Sequence, residues 1–555
     1  MSNALRRRFD RYLSGVSRRQ LLRTGGLLGA AGAIPALRGT RADAAPAREL
    51  ASSTSAGPSI YEKIGVHPVI NCRGTYTVIG GSLELPEVTS AQQAAAQHYV
   101  QLDELADGVG ARLAELTGAE WGMVSSGCAA GLAHSTAACV AGGNPDLHVR
   151  IPDLRGFAKD EVVIPAHSRN EYDAAVRSIG VRIVEVANEK EFLAALGPRV
   201  AMVYVLAGPN AETGPLTYDM IYPAARERNI PVLVDAAAEI LTIPNVHLKR
   251  GATLVGYSGG KCLRGPQSAG LILGRKDLLK AAWVHSAPHH GYGRAMKVGK
   301  EEAMGMLAAV EAWTKRDHQA EWAMWMSWMN HIAAEVSSID GVTTAIEQTK
   351  ELSNQSPVLN IRWDTEKIGV SGSEVEHTLF TTEPRVTLFG RGGRRRGQET
   401  PANQTGVSIT AYMMCTGDEK VVADRLRSIL SSAVGTKLAR DTSSASSQIA
   451  GEWTVSIEFA ASRANHVLYL QQDGSAITGT HQGDFLSRDL TGSLHGDKIT
   501  MTSSIGEQHG AALTYTFTGT VSQDGMGGDL SLGEYRSAKW TAVPRKRDLG
   551  GPGWS

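Results

Sequence analysis

Val232-Leu233-Val234-Asp235 and Tyr257-Ser258-Gly259-Gly260-Lys261-Cys262-Leu263-Arg264-Gly265-Pro266-Gln267 decide how this chain reads, with Lys261 standing 26 residues past Asp235. An apolar strand that ends in a carboxylate, followed by a lysine among glycines, is what a pyridoxal phosphate site needs. A primary amine is the side chain that condenses reversibly with the cofactor aldehyde, which assigns that task to Lys261. Asp235 would keep the pyridine nitrogen protonated, so that the ring draws electrons from a substrate carbanion. Ser258 offers a hydroxyl to the phosphate. Either motif alone is commonplace; their order and spacing join them. A Walker loop is excluded, because it requires a glycine where Val255 stands and a Ser or Thr where Cys262 stands.

Two upstream stretches extend the pattern. Trp121-Gly122-Met123-Val124-Ser125-Ser126-Gly127-Cys128-Ala129-Ala130-Gly131 reads as a short strand turning into an alanine-rich helix. Free N–H groups at such a turn cradle a phosphate, and Ser126, Gly127 and Cys128 are the candidate contacts. Val162-Val163-Ile164-Pro165-Ala166-His167 predicts a strand ending at His167, whose ring would stack on the cofactor or relay protons. A histidine in isolation is more often a satisfied structural one. Arg169 and Tyr172 are lesser candidates for anion contacts. Further segments alternate between helical and extended patterns up to Val234, which argues an α/β fold with a mainly parallel sheet covered by helices.

Together these pieces have the order of a fold type I pyridoxal phosphate enzyme. Residues 61 to about 433 resemble the branch around bacterial selenocysteine synthase (L-seryl-tRNA selenium transferase), which includes ammonia lyases acting on amino sugar acids. The resemblance is carried by Asn71-Cys72-Arg73-Gly74-Thr75, Ser125-Ser126-Gly127-Cys128-Ala129, His167-Ser168-Arg169-Asn170-Glu171-Tyr172-Asp173, Asp235-Ala236-Ala237-Ala238-Glu239, Ser258-Gly259-Gly260-Lys261 and Gly293-Arg294-Ala295-Met296-Lys297-Val298-Gly299-Lys300. It implies a large cofactor domain, a smaller α/β C-terminal subdomain, and a homodimer or higher oligomer with active sites at the subunit interface. In fold type I enzymes an arginine usually grips the substrate carboxylate, because its planar fork matches two oxygens. Arg73 and Arg385 are the candidates.

With 42% hydrophobic and 20% charged residues among 555, the composition is that of an ordinary soluble globular protein. Lysine plus arginine equals aspartate plus glutamate at 56 each, so charge gives no general attraction to nucleic acid or anionic membrane. The five cysteines lack paired spacing, which indicates neither a disulfide framework nor a metal site. Ser17-Arg18-Arg19-Gln20-Leu21-Leu22, followed by a short Gly/Ala-rich apolar run, resembles a twin-arginine export signal over residues 1–45. The expected location is periplasmic or extracellular, with a membrane tether if the signal stays uncleaved. An exported enzyme does not meet charged tRNA, so a selenium transferase activity is disfavoured.

The remaining organisation follows from composition. Residues 46–59 read as a linker and 60–337 as the large domain with an N-terminal arm; within it one helix is expected to carry Ala94, Tyr99, Leu102, Leu105, Val109, Leu113 and Leu116. Residues 338–435 form the small subdomain and 436–448 a polar linker. Between 449 and 545, seven segments alternate apolar and polar residues between Gly, Asp and Asn turns, which predicts an antiparallel β sandwich or barrel. Residues 546–555 are a tail. The expected activity, on the resemblance, is α,β-elimination on an amino acid or amino sugar acid, with Lys261 as base, Asp235 on the ring nitrogen and His167 beside the ring. Aldolase, racemase, aminotransferase and selenium transferase chemistry begin in the same way. A non-catalytic exported binding protein on the same fold is the reading from a different class.

Overall fold

The computed structural model describes residues 59–390, 403–437, 443–505 and 513–545. The export signal, most of the first linker, the arginine-rich run 391–396, part of the second linker and the tail lie outside them.

Seven strands make the central sheet: β1 (Trp121–Ser125), β2 (Glu161–Pro165), β3 (Arg182–Val186), β4 (Val200–Leu206), β5 (Val232–Asp235), β6 (Leu254–Ser258) and β7 (Gly270–Gly274). Their order is β1-β7-β6-β5-β4-β2-β3. Strands β3, β2, β4, β5 and β6 run parallel, while β7 is antiparallel to both β6 and β1. Because side chains alternate along a strand, neighbouring residues feed opposite faces. Val203, Val205, Val232 and Val234 join one core; Val162, Ile164, Tyr204 and Leu233 join another on the opposite face. Burial on both faces is why these strands read as continuous apolar runs.

The expected single helix is two helices, Pro86–Ala95 and α1 (Leu102–Thr117). Gln101 ends the gap by accepting a hydrogen bond from Glu104 N at 2.6 Å, and Tyr99 between the helices is fully exposed. After β1 comes α2 (Gly127–Ala141), and two long helices, α3 (Lys300–Lys315) and α4 (His318–Ser337), lead to the small subdomain. There β8 (Val342–Gln348), β9 (Pro357–Asp364) and β10 (Gln404–Thr410) form an antiparallel sheet in the order β10-β9-β8, packed on α4 and α5 (Asp418–Ala433). Ile70–Asn71 of the arm pairs in parallel with Val386–Thr387, which fastens the arm to this subdomain.

The C-terminal domain is a closed barrel of eight antiparallel strands: β11 (Gly451–Glu458), β12 (Arg463–Asp473), β13 (Ala476–Gln482), β14 (Ser487–His495), β15 (Lys498–Ser504), β16 (Tyr515–Val521), β17 (Met526–Ser531) and β18 (Ser537–Pro544). Closure by β18 on β11 removes the free sheet edges. The sequence pattern shows seven of these strands and misses β14. Its inward positions are Arg488, Leu490, Gly492 and Leu494, so a buried arginine and a glycine break the apolar alternation.

Candidate active site

The parallel strands converge at their carboxyl ends, the edge of an open α/β sheet where ligands bind. Asp235 closes β5 there and is 2% exposed. Its Oδ2 accepts from the Tyr204 hydroxyl at 2.8 Å, and its Oδ1 accepts from Ala237 N at 3.1 Å. The Cys128 thiol lies 3.9 Å from Oδ1. Burial pushes the Asp235 carboxyl above its ordinary value, against the opposing pull of these donors and the Lys261 charge. A buried carboxylate in that position gains from a cation placed against it, such as a protonated pyridine nitrogen.

The turn from β1 into α2 supplies the second element. Ser126 is the N-cap, and its hydroxyl makes no capping bond; Gly127 holds a left-handed conformation at φ 81°. Ser125 Oγ donates to Gly127 O at 2.8 Å, fixing the turn. Gly270, opposite, has no room for a side chain: a Cβ there would run into the Gly127 and Cys128 main chain. The first N–H groups of the 15-residue α2 therefore stand free at a rigid, side-chain-poor turn, suited to an anion. The Cys128 side chain is buried against Asp235, and burial pushes its thiol well above the usual range, which leaves its main-chain N–H as the group this residue offers to a phosphate.

Lys261 sits half-buried in a turn pinned by Gly259 N to Ala269 O and Gly265 N to Gly259 O, both at 2.8 Å. Its charge acts on Asp235, Cys128 and Cys262. Ser258, the last residue of β6, is half-buried just ahead of it. β2 stops at Pro165, and His167 occupies the following 3-10 turn. Among the described residues its Nε2 is buried without a hydrogen-bond partner, and burial lowers its basicity, so the ring is neutral near pH 7.

Arg73 stacks on Tyr76 and Phe389, with its guanidinium carbon 5.3 and 4.9 Å from the ring centroids, and pairs with Glu376 at 3.3 Å. Its Nε is buried and unpartnered. Arg385 is spent otherwise, on Phe380 O at 2.7 Å and His67 O at 3.0 Å. Arg169 is likewise occupied, held by Asp173 at 2.6 Å and Glu185 at 2.7 Å. Tyr172 is 56% exposed and lies within electrostatic range of Asp235 and Tyr76.

Sequence reading missed Tyr204 and left Asn170 without a role. Asn170 Nδ2 donates to the Tyr204 hydroxyl at 3.0 Å and to Ser168 O at 2.8 Å, so a chain of side chains runs from the His167 turn to Asp235. The available signal was one hydroxyl within Val200-Ala201-Met202-Val203-Tyr204-Val205-Leu206, an otherwise apolar, wholly buried run up to Val205.

A buried carboxylate within electrostatic range of a lysine, a free helix N-terminus for an anion and a neutral histidine define a pyridoxal phosphate-dependent enzyme of fold type I. The chain belongs to the family of D-glucosaminate-6-phosphate ammonia lyase: it is 30% identical to that enzyme from Salmonella typhimurium (strain 14028s / SGSC 2262) over 382 residues, 67% of this chain and 98% of the relative. The solved structure of a D-glucosaminate-6-phosphate ammonia-lyase aligns with a TM-score of 0.59 at 29% identity, over 68% of this chain and 99% of that one. A 5'-C-glycyluridine monooxygenase-decarboxylase from a Streptomyces species is 34% identical over 376 residues, 65% of this chain and 86% of the relative. An L-seryl-tRNA(Sec) selenium transferase from Proteus mirabilis (strain HI4320) is 26% identical over 47% of this chain and 59% of its own length. The chain matches no family model.

Proposed function

We propose that this enzyme is an ammonia lyase for a 2-amino-3-hydroxy acid of the amino sugar acid class. The observation that carries the reading is the match to nearly the whole of an ammonia lyase, supported by the Lys261–Asp235 arrangement. Pyridoxal phosphate, when bound, supplies the electron sink that lets the α-carbon release its proton. Ser126, Gly127 and the first turn of α2 would hold its phosphate, Asp235 its ring nitrogen and Lys261 its aldehyde carbon. Lys261 Nζ takes the α-proton. Arg73 would hold the substrate carboxylate, and His167, neutral, would accept or return a proton at the substrate. Loss of the 3-hydroxyl as water, then addition of water at C2, releases ammonia and leaves a 2-keto-3-deoxy acid.

The test is to incubate the cofactor-loaded enzyme with 2-amino-2-deoxy sugar acids, with and without a 6-phosphate, and measure ammonia and keto acid together. Equal yields of both, abolished by Lys261→Ala, support the reading. Oxygen uptake with carbon dioxide release would instead favour chemistry like that of the Streptomyces relative.

Export by the twin-arginine route belongs to the same proposal and rests on Arg18-Arg19 and the apolar run that follows. Deleting residues 1–45 is expected to retain the protein in the cytoplasm; unchanged fractionation would contradict it. We expect a homodimer, which sedimentation of the loaded enzyme tests.

A further inference from the structure

Outside the Lys261 site, a cavity of about 560 Å³ opens between the two lobes of the catalytic region. One wall is Ala238 and Ile240 to Ile243, past β5, with Cys262 and Arg264; the opposite wall is Asn354, Gln355, Tyr412 and Met413 of the small subdomain. The end of α3 and the start of α4 close it with Trp313, Trp322 and Trp325. Lys261, Asp235, His167 and Ser126 do not line it.

Its polar groups are mismatched in charge. Arg316 lies over the Trp313 ring at 5.0 Å, donates through Nη1 to Cys262 O at 3.1 Å, and comes only within 3.9 Å of Glu321. Its Nη2 is buried with no hydrogen-bond partner among the described residues. Arg264 adds a second guanidinium, bonded through Nε to Leu83 O at 3.1 Å and without a carboxylate in ion-pair contact among the described residues. The charges of Arg264 and Arg316 repel one another, partly offset by Glu321 and Glu87, and among the described residues Glu321 is the one carboxylate on the cavity wall. Arg264 also holds a left-handed backbone at φ 54°, a conformation that costs energy in any residue with a Cβ. Glycine would occupy that position without strain, so the arginine stands there at a cost in both backbone and charge.

The indoles supply the other half. Trp313 is fixed by its Nε1 donating to Leu241 O at 2.7 Å, and Trp322 and Trp325 stand with ring centroids 6.2 Å apart. Tyr412, 6.4 Å from Trp325, donates to Asn354 at 3.2 Å and bonds to Thr75 of the arm at 3.3 Å. Flat apolar walls beside two cations match a small ligand with an anionic head and a planar apolar body.

We propose that this cavity is a second ligand site, specific for small aryl phosphates or carboxylates, whose occupation bridges the large and small lobes through Arg264 and Arg316 on one side and Tyr412 on the other. The proposal stands independently of which reaction Lys261 carries.

Tryptophan fluorescence of the cofactor-loaded full chain, titrated with phenyl phosphate, tests it, because the phosphate cradle at Ser126 is then already filled. The expected result is saturable quenching, abolished in the Trp322→Phe/Trp325→Phe double variant and weakened at least tenfold in Arg316→Gln and in Arg264→Gly. Inorganic phosphate alone is expected to bind at least tenfold more weakly. Arg264→Gly is further expected to keep or raise the thermal midpoint, since it relieves the backbone. Non-saturable quenching, equal affinity in the arginine variants, or equal affinity for inorganic phosphate would each overturn the proposal. So would an Arg264→Gly protein that loses stability and still binds.

Discussion

The Tyr204 hydroxyl donates to Asp235 Oδ2 at 2.8 Å while itself receiving the Asn170 amide at 3.0 Å. This chain fixes the carboxylate proposed to hold the cofactor's ring nitrogen. It also keeps an acceptor-only group satisfied in a place where burial opposes its charge.

Tyr204→Phe removes one donor from Asp235 and leaves the Asn170 amide short of an acceptor. A hydrogen bond to a buried charge is worth about 1.5–3 kcal/mol, so kcat should fall about tenfold or more, with the cofactor held less tightly. Steady-state kinetics and cofactor titration check this. Asn170→Ala should give a smaller loss of the same kind, and unchanged values in both would remove this chain from the account.

Gly270→Ala places a methyl group against the Gly127 and Cys128 main chain. The strand must shift or the turn must open, and either disturbs the N–H groups offered to the phosphate. Cofactor affinity is expected to fall at least tenfold, measured by dialysis and absorbance, with a lower thermal midpoint.

Acid sensitivity should come from buried histidines. His134 and His285 are fully buried, and burial lowers them to about 4 and about 3; His285 is further depressed by its neighbours His148 and His134. Unfolded, each titrates near 6.5. Above pH ~6.5 both states are neutral and these residues add no pH dependence. As pH falls below that, the unfolded chain takes up protons first, and stability drops by up to about 1.4 kcal/mol per pH unit for each histidine. The loss from His134 levels off near pH 4 and that from His285 near 3. Because neither His134 nitrogen has a partner, His134→Phe should flatten thermal midpoint against pH between 6.5 and 4. An unaltered slope would contradict this assignment.

In the barrel, Arg488 is 7% exposed, lies 4.8 Å from the Tyr515 ring, and leaves Nε and Nη1 without partners among the described residues. Burying an unpaired cation is costly, and an apolar side chain of similar length avoids that cost. Arg488→Met is expected to leave the thermal midpoint unchanged or raised. Marked destabilisation would show that the guanidinium is satisfied in a way its neighbours do not reveal.

How much was legible in sequence depended on whether a signal was local. Asp235 and Lys261 stood out because strand ends and glycine turns punctuate the chain around them, and the order of the motifs fixed the sheet. Tyr204 did not, since its partner lies 31 residues away and its strand gives every outward sign of plain core. The break between the helices ending at Ala95 and starting at Leu102 was hidden by apolar residues that kept near-helical spacing across it. β14 was hidden by Arg488 and Gly492 standing where the alternation calls for apolar side chains. Arg385 illustrates the opposite error: residue type suggested a carboxylate grip, whereas the fold spends its guanidinium on two main-chain carbonyls.

The central claim is that Lys261 carries the cofactor above Asp235. An absorbance spectrum of the purified protein before and after borohydride, followed by peptide mapping, tests it most directly. The account predicts a visible band that borohydride removes, leaving the reduced cofactor on the peptide containing Lys261. Cofactor-supplemented protein without a band, or with the adduct on another lysine, would contradict it.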